Sequence, residues 1–184
     1  MTGETINIHT DLIEKCRAHD RTAQFEIYKL YNRAMFNTAL RITGVRTDAE
    51  DVLQDAFISA FQSLSTLRED VTFGAWLKKI VVNKALNHMQ KSKKDWMLVE
   101  EINEESKIEW NEESEPIYSI EAVQKTMNYL PSGFRTVLSL YLFEGYDHKE
   151  ISEILGITES TSKSQYKRAK DKLKTMLREE VNYG

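Results

Sequence analysis

The side chains best suited to chemistry in this chain are lysines spaced along one side of a predicted helix. The spacing i, i+4, i+7 and i+11 is kept by Lys163, Lys167, Lys170 and Lys174. Tyr166, Ala169 and Leu173 lie on another side of the same helix, so that side could pack while the lysines meet phosphates. The spacing therefore indicates DNA binding, although an ordinary helix with a solvated lysine face has the same pattern.

A helix-turn-helix would position these lysines. An apolar repeat with helical spacing precedes them, formed by Ile151, Ile154 and Leu155. Gly156 follows where a chain leaving a helix favours a residue that tolerates positive φ, and Thr158 or Ser160 could cap the next helix. Residues 146–174 therefore predict a helix-turn-helix with a basic second helix, and an αα-hairpin is the alternative.

Carboxylates line another predicted helix, closer to the amino end. Gly44 is expected to end the helix before it, and Thr47 and Glu50 have the spacing of a capping box at its beginning. Its polar stripe comprises Asp48, Asp51, Asp55 and Gln62. The helix dipole accounts for carboxylates in the first turn but not for Asp55. The stripe is either a solvated face or a docking surface for a basic partner.

A third helix, predicted over residues 73–94, carries lysines and no carboxylate. Its lysines are Lys78, Lys79, Lys84, Lys91, Lys93 and Lys94. Asn83 and Gln90 share one side with Lys79, and Asn and Gln side chains can hydrogen-bond to base edges. Phe73 and Trp76 either pack in the core or stack on bases of single-stranded DNA. A basic helix could also lie on an anionic membrane surface, but DNA is the explanation that both basic helices share.

Composition favours a helical protein of a reducing compartment. Of 184 residues only 2 are proline and 7 are glycine, and 41% are hydrophobic, which is enough to bury a core. The single cysteine, Cys16, permits no internal disulfide and no zinc set. The amino end does not resemble a leader and no apolar run reaches about 18 residues, so neither export nor membrane spanning is expected.

Acidic residues are concentrated between the two groups of predicted helices. Residues 100–121 hold nine carboxylates and one lysine. The net negative charge of this segment is larger than that of the whole chain, which is −4, so the remaining residues are net positive. This composition predicts an acidic flexible linker over residues 96–118, with DNA mimicry as the alternative. The predicted fold class is therefore all-α, with two small helical domains at residues 10–95 and 119–184.

The order of these segments resembles a bacterial RNA polymerase sigma factor. An acidic helix, DAEDVLQDAFISAF, precedes the basic helix FGAWLKKIVVNKALNHMQKSKK, the acidic linker and then LPSGFRTVLSLYLFEGYDHKEISEILGITESTSKSQYKRAKDKL. The chain is most similar to the small extracytoplasmic-function (ECF) group, which retains the second and fourth conserved regions, and the similarity covers residues 20–178. It implies a subunit that binds core polymerase and directs promoter recognition, −10 melting and transcription initiation, with no catalytic activity and no cofactor.

The resemblance implies a role for each of the charged surfaces. The residues expected to dock on the clamp helices of the polymerase β′ subunit are Asp48, Asp51, Gln54 and Asp55. Those expected to face the −10 element are Lys78, Lys79, Asn83, Lys84 and Asn87. The loop at residues 65–72 would capture a flipped base, which costs unpairing and unstacking energy.

The helix-turn-helix would read the −35 element in the major groove. The residues expected at the bases are Ser160, Thr161, Ser162, Lys163, Ser164 and Gln165, and those expected at phosphates are Lys167 and Arg168. Three features depart from the family pattern. Gln165 stands where many relatives carry Arg, Ser162 where many carry Val, and residues 87–90 read NHMQ where an Asp followed by arginines is frequent. The promoter sequence therefore stays open.

The resemblance also implies partners and location. The partners would be core RNA polymerase, through its β′ clamp helices and β subunit, promoter DNA, and a membrane-anchored anti-sigma factor, with no small-molecule substrate. The protein would be in the bacterial cytoplasm, or held at the inner membrane by that factor.

Two other classes of function compete with a sigma factor. A helix-turn-helix regulator with an amino-terminal sensor or dimerisation domain would not need a basic helix without carboxylates. A nucleic-acid enzyme is disfavoured because the four histidines are scattered without metal-ligand spacing and no glycine-rich phosphate loop occurs.

Overall fold

The computed structural model describes residues 9–68, 72–91 and 118–183, and every regular element in these ranges is a helix. The chain divides into two compact units, Met1–Lys94 and Asp95–Gly184. The predicted all-α fold class is confirmed. Apart from its last residue, the expected acidic linker lies outside the described residues.

The first unit is built around three mutually packed helices. Its helices are α1 (Thr10–Arg17), α2 (Arg21–Thr43), α3 (Arg46–Gln62) and α4 (Phe73–Lys91), with a short 3-10 turn at Leu64–Thr66. α2, α3 and α4 pack against one another in all three pairings, and α1 packs against α2. The largest fully buried side chains at their centre include Ile27, Ile42, Phe73, Leu77 and Val81. Each such side chain stabilises by about 1.5–3 kcal/mol when buried, so this core fixes how each helix is rotated.

Local hydrogen bonds determine where α2 begins and ends. The Asp20 carboxylate accepts from the backbone N–H groups of Thr22 at 2.8 Å and Ala23 at 3.2 Å. At the other end, Gly44 has a φ of 72° and its N–H donates to the carbonyl of Leu40. Glycine adopts this left-handed conformation without steric cost, and the predicted end of the helix at Gly44 is confirmed.

The beginning of α3 differs from the prediction. α3 starts at Arg46, directly after Val45, and no side chain caps it. The Arg46 Nε lies 2.9 Å from the Glu50 Oε1 one turn further along. The predicted capping box of Thr47 and Glu50 is therefore wrong, because Thr47 is already inside the helix and Arg46 engages the Glu50 carboxylate.

The second unit is built on α8, against which its other helices pack. Its helices are α5 (Ile120–Met127), α6 (Ser132–Leu142), α7 (His148–Leu155) and α8 (Glu159–Tyr183). The buried cluster comprises Met127, Leu130, Leu138, Ala169, Leu173 and Leu177, with Tyr166 packed against it. The predicted packing side of the basic helix, which held Tyr166, Ala169 and Leu173, is confirmed.

α7 and α8 form the predicted helix-turn-helix, and local hydrogen bonds close its turn. Asp147 caps α7 in a capping box with Glu150. Gly156 follows α7 with a φ of 67°, and its N–H donates back into that helix. The Thr158 Oγ1 accepts from the backbone N–H of Thr161 at 3.0 Å and so caps α8. The expected roles of Gly156 and Thr158 are therefore confirmed.

Substituting Gly156 should destabilise the second unit through backbone strain alone. A Cβ at Gly156 would meet no atom within 4 Å, but its φ of 67° lies where side chains are disfavoured. We expect Gly156→Ala to lower the free energy of unfolding by about 1 kcal/mol, and Gly156→Asn by less, because asparagine tolerates this conformation better. Urea unfolding followed by circular dichroism measures both variants, and equal losses would contradict the backbone explanation.

Candidate nucleic-acid interface

α4 offers one polar face to solvent. Lys79, Asn83 and Asn87 are exposed at i, i+4 and i+8, and Lys84 is half-buried at the edge of that face. The buried side of the helix comprises Leu77, Val81, Val82, Ala85, Leu86 and Met89. The structure therefore brings these four residues, all expected at the −10 element, to one side of α4.

Lys78 does not join that polar face. The helical period puts it roughly 140° around α4 from Asn83, and it is half-buried. This position separates Lys78 from the other expected −10 contacts. Gln90 and Lys91 are exposed and follow Asn83 at i+7 and i+8, so they extend the face. The sequence placed Gln90 on this side, whereas Lys91 was not expected there. The same helical spacing identifies both of them in the sequence.

Aromatic packing fixes the beginning of α4 against α2. The ring centroids of Tyr31 and Phe73 are 5.1 Å apart, and that of Trp76 is 5.8 Å from that of Phe73. A methyl group on Gly74 would lie 3.1 Å from the Tyr31 Cε1, so the two helices approach closely. Phe73 is buried, whereas Trp76 is half-buried. Residues 69–71 of the expected base-capturing loop lie outside the described residues.

α3 presents a compact acidic surface. Asp51, Gln54 and Asp55 are exposed at i, i+3 and i+4, so their side chains are neighbours. Within the described ranges, no ion pair involves either carboxylate. Ile58 follows Gln54 at i+4 and is 48% exposed, so an apolar group extends this surface. In the sequence, the helical spacing from Gln54 indicates that Ile58 lies on this surface, but an apolar residue is more readily assigned to the core.

Asp48 faces α4 rather than standing free beside Asp51. Its Oδ2 lies 3.5 Å from the Nε2 of His88, and the two side chains are 29% and 32% exposed. The contact joins the acidic helix to the basic helix within one unit. Asp48 therefore belongs to the packing between α3 and α4 as well as to the acidic stripe.

The amino-terminal half of α8 carries the exposed groups of the helix-turn-helix. The exposed residues are Glu159, Ser160, Lys163, Ser164, Lys167, Arg168 and Lys170. Thr161 is half-buried, and its hydroxyl oxygen lies 2.8 Å from that of Thr158 at the cap. The Ser164 hydroxyl donates to the carbonyl of Ser160 at 2.9 Å. The lysines therefore lie along one accessible side, while several hydroxyl groups are already engaged by the helix itself.

Ser162 and Gln165 do not reach this accessible side. They are 0% and 4% exposed, respectively. The Ser162 Oγ lies 3.0 Å from the Nδ1 of His148, whose ring stacks on Tyr141 at a centroid distance of 4.7 Å. Their burial removes Ser162 and Gln165 from the residues expected to face bases. Both follow the helical spacing of the buried Ala169, which was the signal in the sequence.

Among the described residues, neither the cysteine nor the acidic and histidine side chains form a metal site. Cys16 is buried, and burial together with the nearby charge of Asp20 raises the pKa of its thiol. In residues 9–68, 72–91 and 118–183, no three His, Cys, Asp or Glu side chains are grouped so as to hold a metal ion. Among the described helices, none is both long enough and apolar enough to cross a membrane.

Two family models match the chain in the order of its two units. Sigma-70 region 2 matches residues 27–95, which include most of α2 and all of α3 and α4. Sigma-70 region 4 matches residues 120–173, which include α5 to α7 and the first part of α8. The matches therefore cover α3, α4 and the helix-turn-helix.

Curated proteins match most of the chain. The ECF RNA polymerase sigma-E factor of Escherichia coli (strain K12) is 32% identical over 135 residues, covering 67% of this chain and 71% of that protein. The ECF RNA polymerase sigma factor SigW of Bacillus subtilis (strain 168) is 26% identical over 178 residues, covering 91% of this chain and 95% of that protein.

Solved structures share the fold. The sigma factor RpoE of Bartonella quintana, solved in complex with the anti-sigma factor NepR, matches with a TM-score of 0.55 and 22% identity, over 83% of this chain and 95% of that one. CnrH, solved in complex with the cytosolic domain of CnrY, matches with a TM-score of 0.53 and 23% identity, over 91% of this chain and 95% of that one.

Removing the Ser162 hydroxyl should affect stability. We expect Ser162→Ala to lower the free energy of unfolding by about 1 kcal/mol, because the hydrogen bond between the buried Ser162 hydroxyl and His148 is lost. Ser160→Ala, on the exposed side of the same helix, should change it by less than about 0.5 kcal/mol. Urea unfolding followed by circular dichroism compares the two, and a Ser162→Ala variant as stable as Ser160→Ala would contradict the structural role.

Proposed function

Because the chain belongs to the ECF sigma factors of the sigma-70 family, we propose that its exposed helix faces divide the work of promoter recognition. Sigma factors are initiation factors of RNA polymerase and not enzymes, so the sequence-based identification and the expected lack of catalysis are both confirmed. This division of promoter recognition assigns one task to each of α3, α4 and α8. The observation that carries it is the segregation of charge, since α3 exposes carboxylates while α4 contains none.

The acidic surface of α3 docks on core RNA polymerase at the clamp helices of the β′ subunit. Asp51, Gln54 and Asp55 supply charge and hydrogen bonds for a basic partner, and Ile58 supplies apolar area beside them. Asp48 contributes less, because its carboxylate already faces His88. Polymerase binding therefore depends mainly on the residues from Asp51 to Ile58.

The polar face of α4 holds the opened −10 element. Lys79 and Lys84 attract phosphates, while Asn83 and Asn87 can donate and accept hydrogen bonds at base edges. Separating the strands costs a few kcal/mol per base, which contacts to single-stranded DNA must offset. Trp76, half-buried at the beginning of this face, is the aromatic residue that we assign to stacking on an exposed base.

The exposed side of α8 binds the −35 element. Lys163 and Ser164 lie near the end of the helix that enters the major groove and can reach bases, with Ser160 and Thr161 in the turn before them. Lys167 and Arg168 lie further along and bind phosphates.

Because Ser162 and Gln165 are buried, few side chains are left to read sequence, and Lys163 is the main candidate among them.

These tasks define the domain organisation that we propose. Residues 10–95 form the polymerase-docking and −10 domain, residues 119–184 form the −35 domain, and residues 96–118 form an acidic linker. The family matches at residues 27–95 and 120–173 support the two ends of this division.

An anti-sigma factor is the proposed regulatory partner. Support comes from RpoE and CnrH, similar in fold, which were solved with the anti-sigma factor NepR and with the cytosolic domain of CnrY. We propose that the chain acts in the bacterial cytoplasm and that its anti-sigma factor can hold it at the inner membrane.

Reversing charge on α3 should weaken polymerase binding without unfolding the protein. We expect Asp51→Arg combined with Asp55→Arg to raise the Kd for core polymerase roughly a hundredfold, since lost contacts become repulsive. Asp11→Arg, at an exposed carboxylate on α1, is the control and should leave the Kd within about twofold. Fluorescence anisotropy of the labelled full chain measures both. Unchanged affinity of the double variant, with intact circular dichroism, would refute the docking assignment.

Removing a phosphate-binding lysine of α8 should weaken DNA binding evenly. We expect Lys167→Ala to reduce holoenzyme binding on every promoter tested. The negative slope of log K against log salt should become shallower by about 0.9, because one phosphate contact is lost. Lys172→Ala, exposed on another side of α8, is the matched control and should keep the wild-type slope. Equal effects of the two variants on holoenzyme binding would show that the lysine side does not face DNA.

A further inference from the structure

A carboxylate stands at the beginning of the lysine side of α8. Glu159 is the first residue of the helix, and its Oε1 lies 2.6 Å from the Nζ of Lys163. The hydrogen bond from Lys163 and its positive charge lower the pKa of Glu159, so this carboxylate is ionised at neutral pH. Both side chains are exposed, at 49% for Glu159 and 59% for Lys163. The pair is therefore accessible to any partner of this end of α8.

Helix stability accounts for only part of this arrangement. A carboxylate in the first turn is favoured by the helix dipole. The dipole explains the residue type, but it does not require the side chain to engage Lys163. Exposed ion pairs of this kind contribute little to stability and are readily exchanged for other partners. Glu159 and Lys163 can therefore separate when DNA offers each of them a better contact.

The position of Glu159 has a consequence for DNA binding. Glu159, Lys163, Lys167 and Lys170 follow one another at i, i+4, i+8 and i+11, so the carboxylate lies on the side that meets DNA. An ionised carboxylate accepts hydrogen bonds and donates none. In the major groove it can pair with a base amino group, and it is repelled by phosphates and by the acceptor atoms of guanine and thymine.

We propose that Glu159 is a specificity-determining residue of the −35 contact, which accepts a hydrogen bond from a base amino group, with cytosine N4 as the favoured donor. Lys163 then donates to a neighbouring guanine or phosphate. On DNA that lacks the amino group, Glu159 remains on Lys163 and neutralises it, so binding to random sequence is weakened. This inference rests on the proposed binding of α8 to the −35 element.

The test uses holoenzyme assembled from core polymerase and the full chain. Transcription from a promoter library with a randomised −35 element, followed by sequencing of the transcripts, gives the base preference at each position. We expect the wild type to enrich cytosine at one position and Glu159→Gln to reduce that enrichment roughly fivefold or more, because an amide accepts and donates and so tolerates other bases. Glu179→Gln, an exposed residue of the same helix with the same charge change, should keep the wild-type preferences.

Binding of the full chain to a random-sequence duplex gives a second measurement. Releasing Lys163 from its carboxylate should let it contact a phosphate, so we expect Glu159→Gln to bind roughly threefold more tightly and its salt slope to steepen by about 0.9. Glu179→Gln should show neither change.

The outcomes separate this inference from the function on which it rests. If Glu159→Gln matches Glu179→Gln in both measurements while Lys167→Ala still weakens promoter binding, the specificity role is refuted and the −35 assignment stands. If Lys167→Ala has no effect either, the −35 assignment itself fails. Tighter binding by Glu159→Gln with unchanged base preference would also overturn the proposal, since the carboxylate would then act only as a repulsive charge.

Discussion

A helix that is packed along one side can offer only its other side to a partner, and this constraint governs every functional surface of the protein. On α4, the buried Leu77 and Val81 fix the rotation of the helix against α2 and α3. That rotation turns Asn83 outwards and carries Lys78 towards the packed flank. The close approach of Gly74 to Tyr31 fixes the same helix at its beginning. The polar face of α4 that we propose for DNA is therefore determined by the hydrophobic core beneath it.

The same constraint reduces the number of α8 side chains that can contact bases. Its buried side uses Ala169 and Leu173 in the core and Ser162 in a hydrogen bond with His148 of α7. The contact between α7 and α8 thus uses polar residues at the beginning of α8, and these residues are no longer available to contact bases. With Ser162 and Gln165 buried, discrimination between bases falls to the few groups left at the exposed first turns. An ion pair there, between Glu159 and Lys163, gains importance for that reason.

Local chemistry explains which features the sequence could reveal. Gly44, Gly156 and Thr158 act through their own backbone or nearest turn, so their residue types alone indicate helix ends. The capping box expected from Thr47 and Glu50 failed because the helix already begins at Arg46, and Arg46 engages the Glu50 carboxylate. Polar residue type suggested exposure for Ser162, but its partner His148 lies fourteen residues away and is brought near only by tertiary packing. The link between Asp48 and His88 is tertiary in the same way, whereas the face of α4 followed from periodicity.

Segregated charge also accounts for the order of events that the proposed division of tasks requires. The chain carries a net charge of −4, so its overall field repels DNA and only the local lysine surfaces attract it. Each surface offers a handful of lysines, which supports weak, strongly salt-dependent binding when it acts alone. Once α3 is docked on polymerase, promoter contacts of α4 and α8 become parts of one assembly, and the second contact forms at a high effective concentration after the first. In the proposed division of tasks, two modest surfaces then hold a promoter that neither would hold separately, and the acidic face of α3 is as much a requirement for DNA binding as the basic faces are.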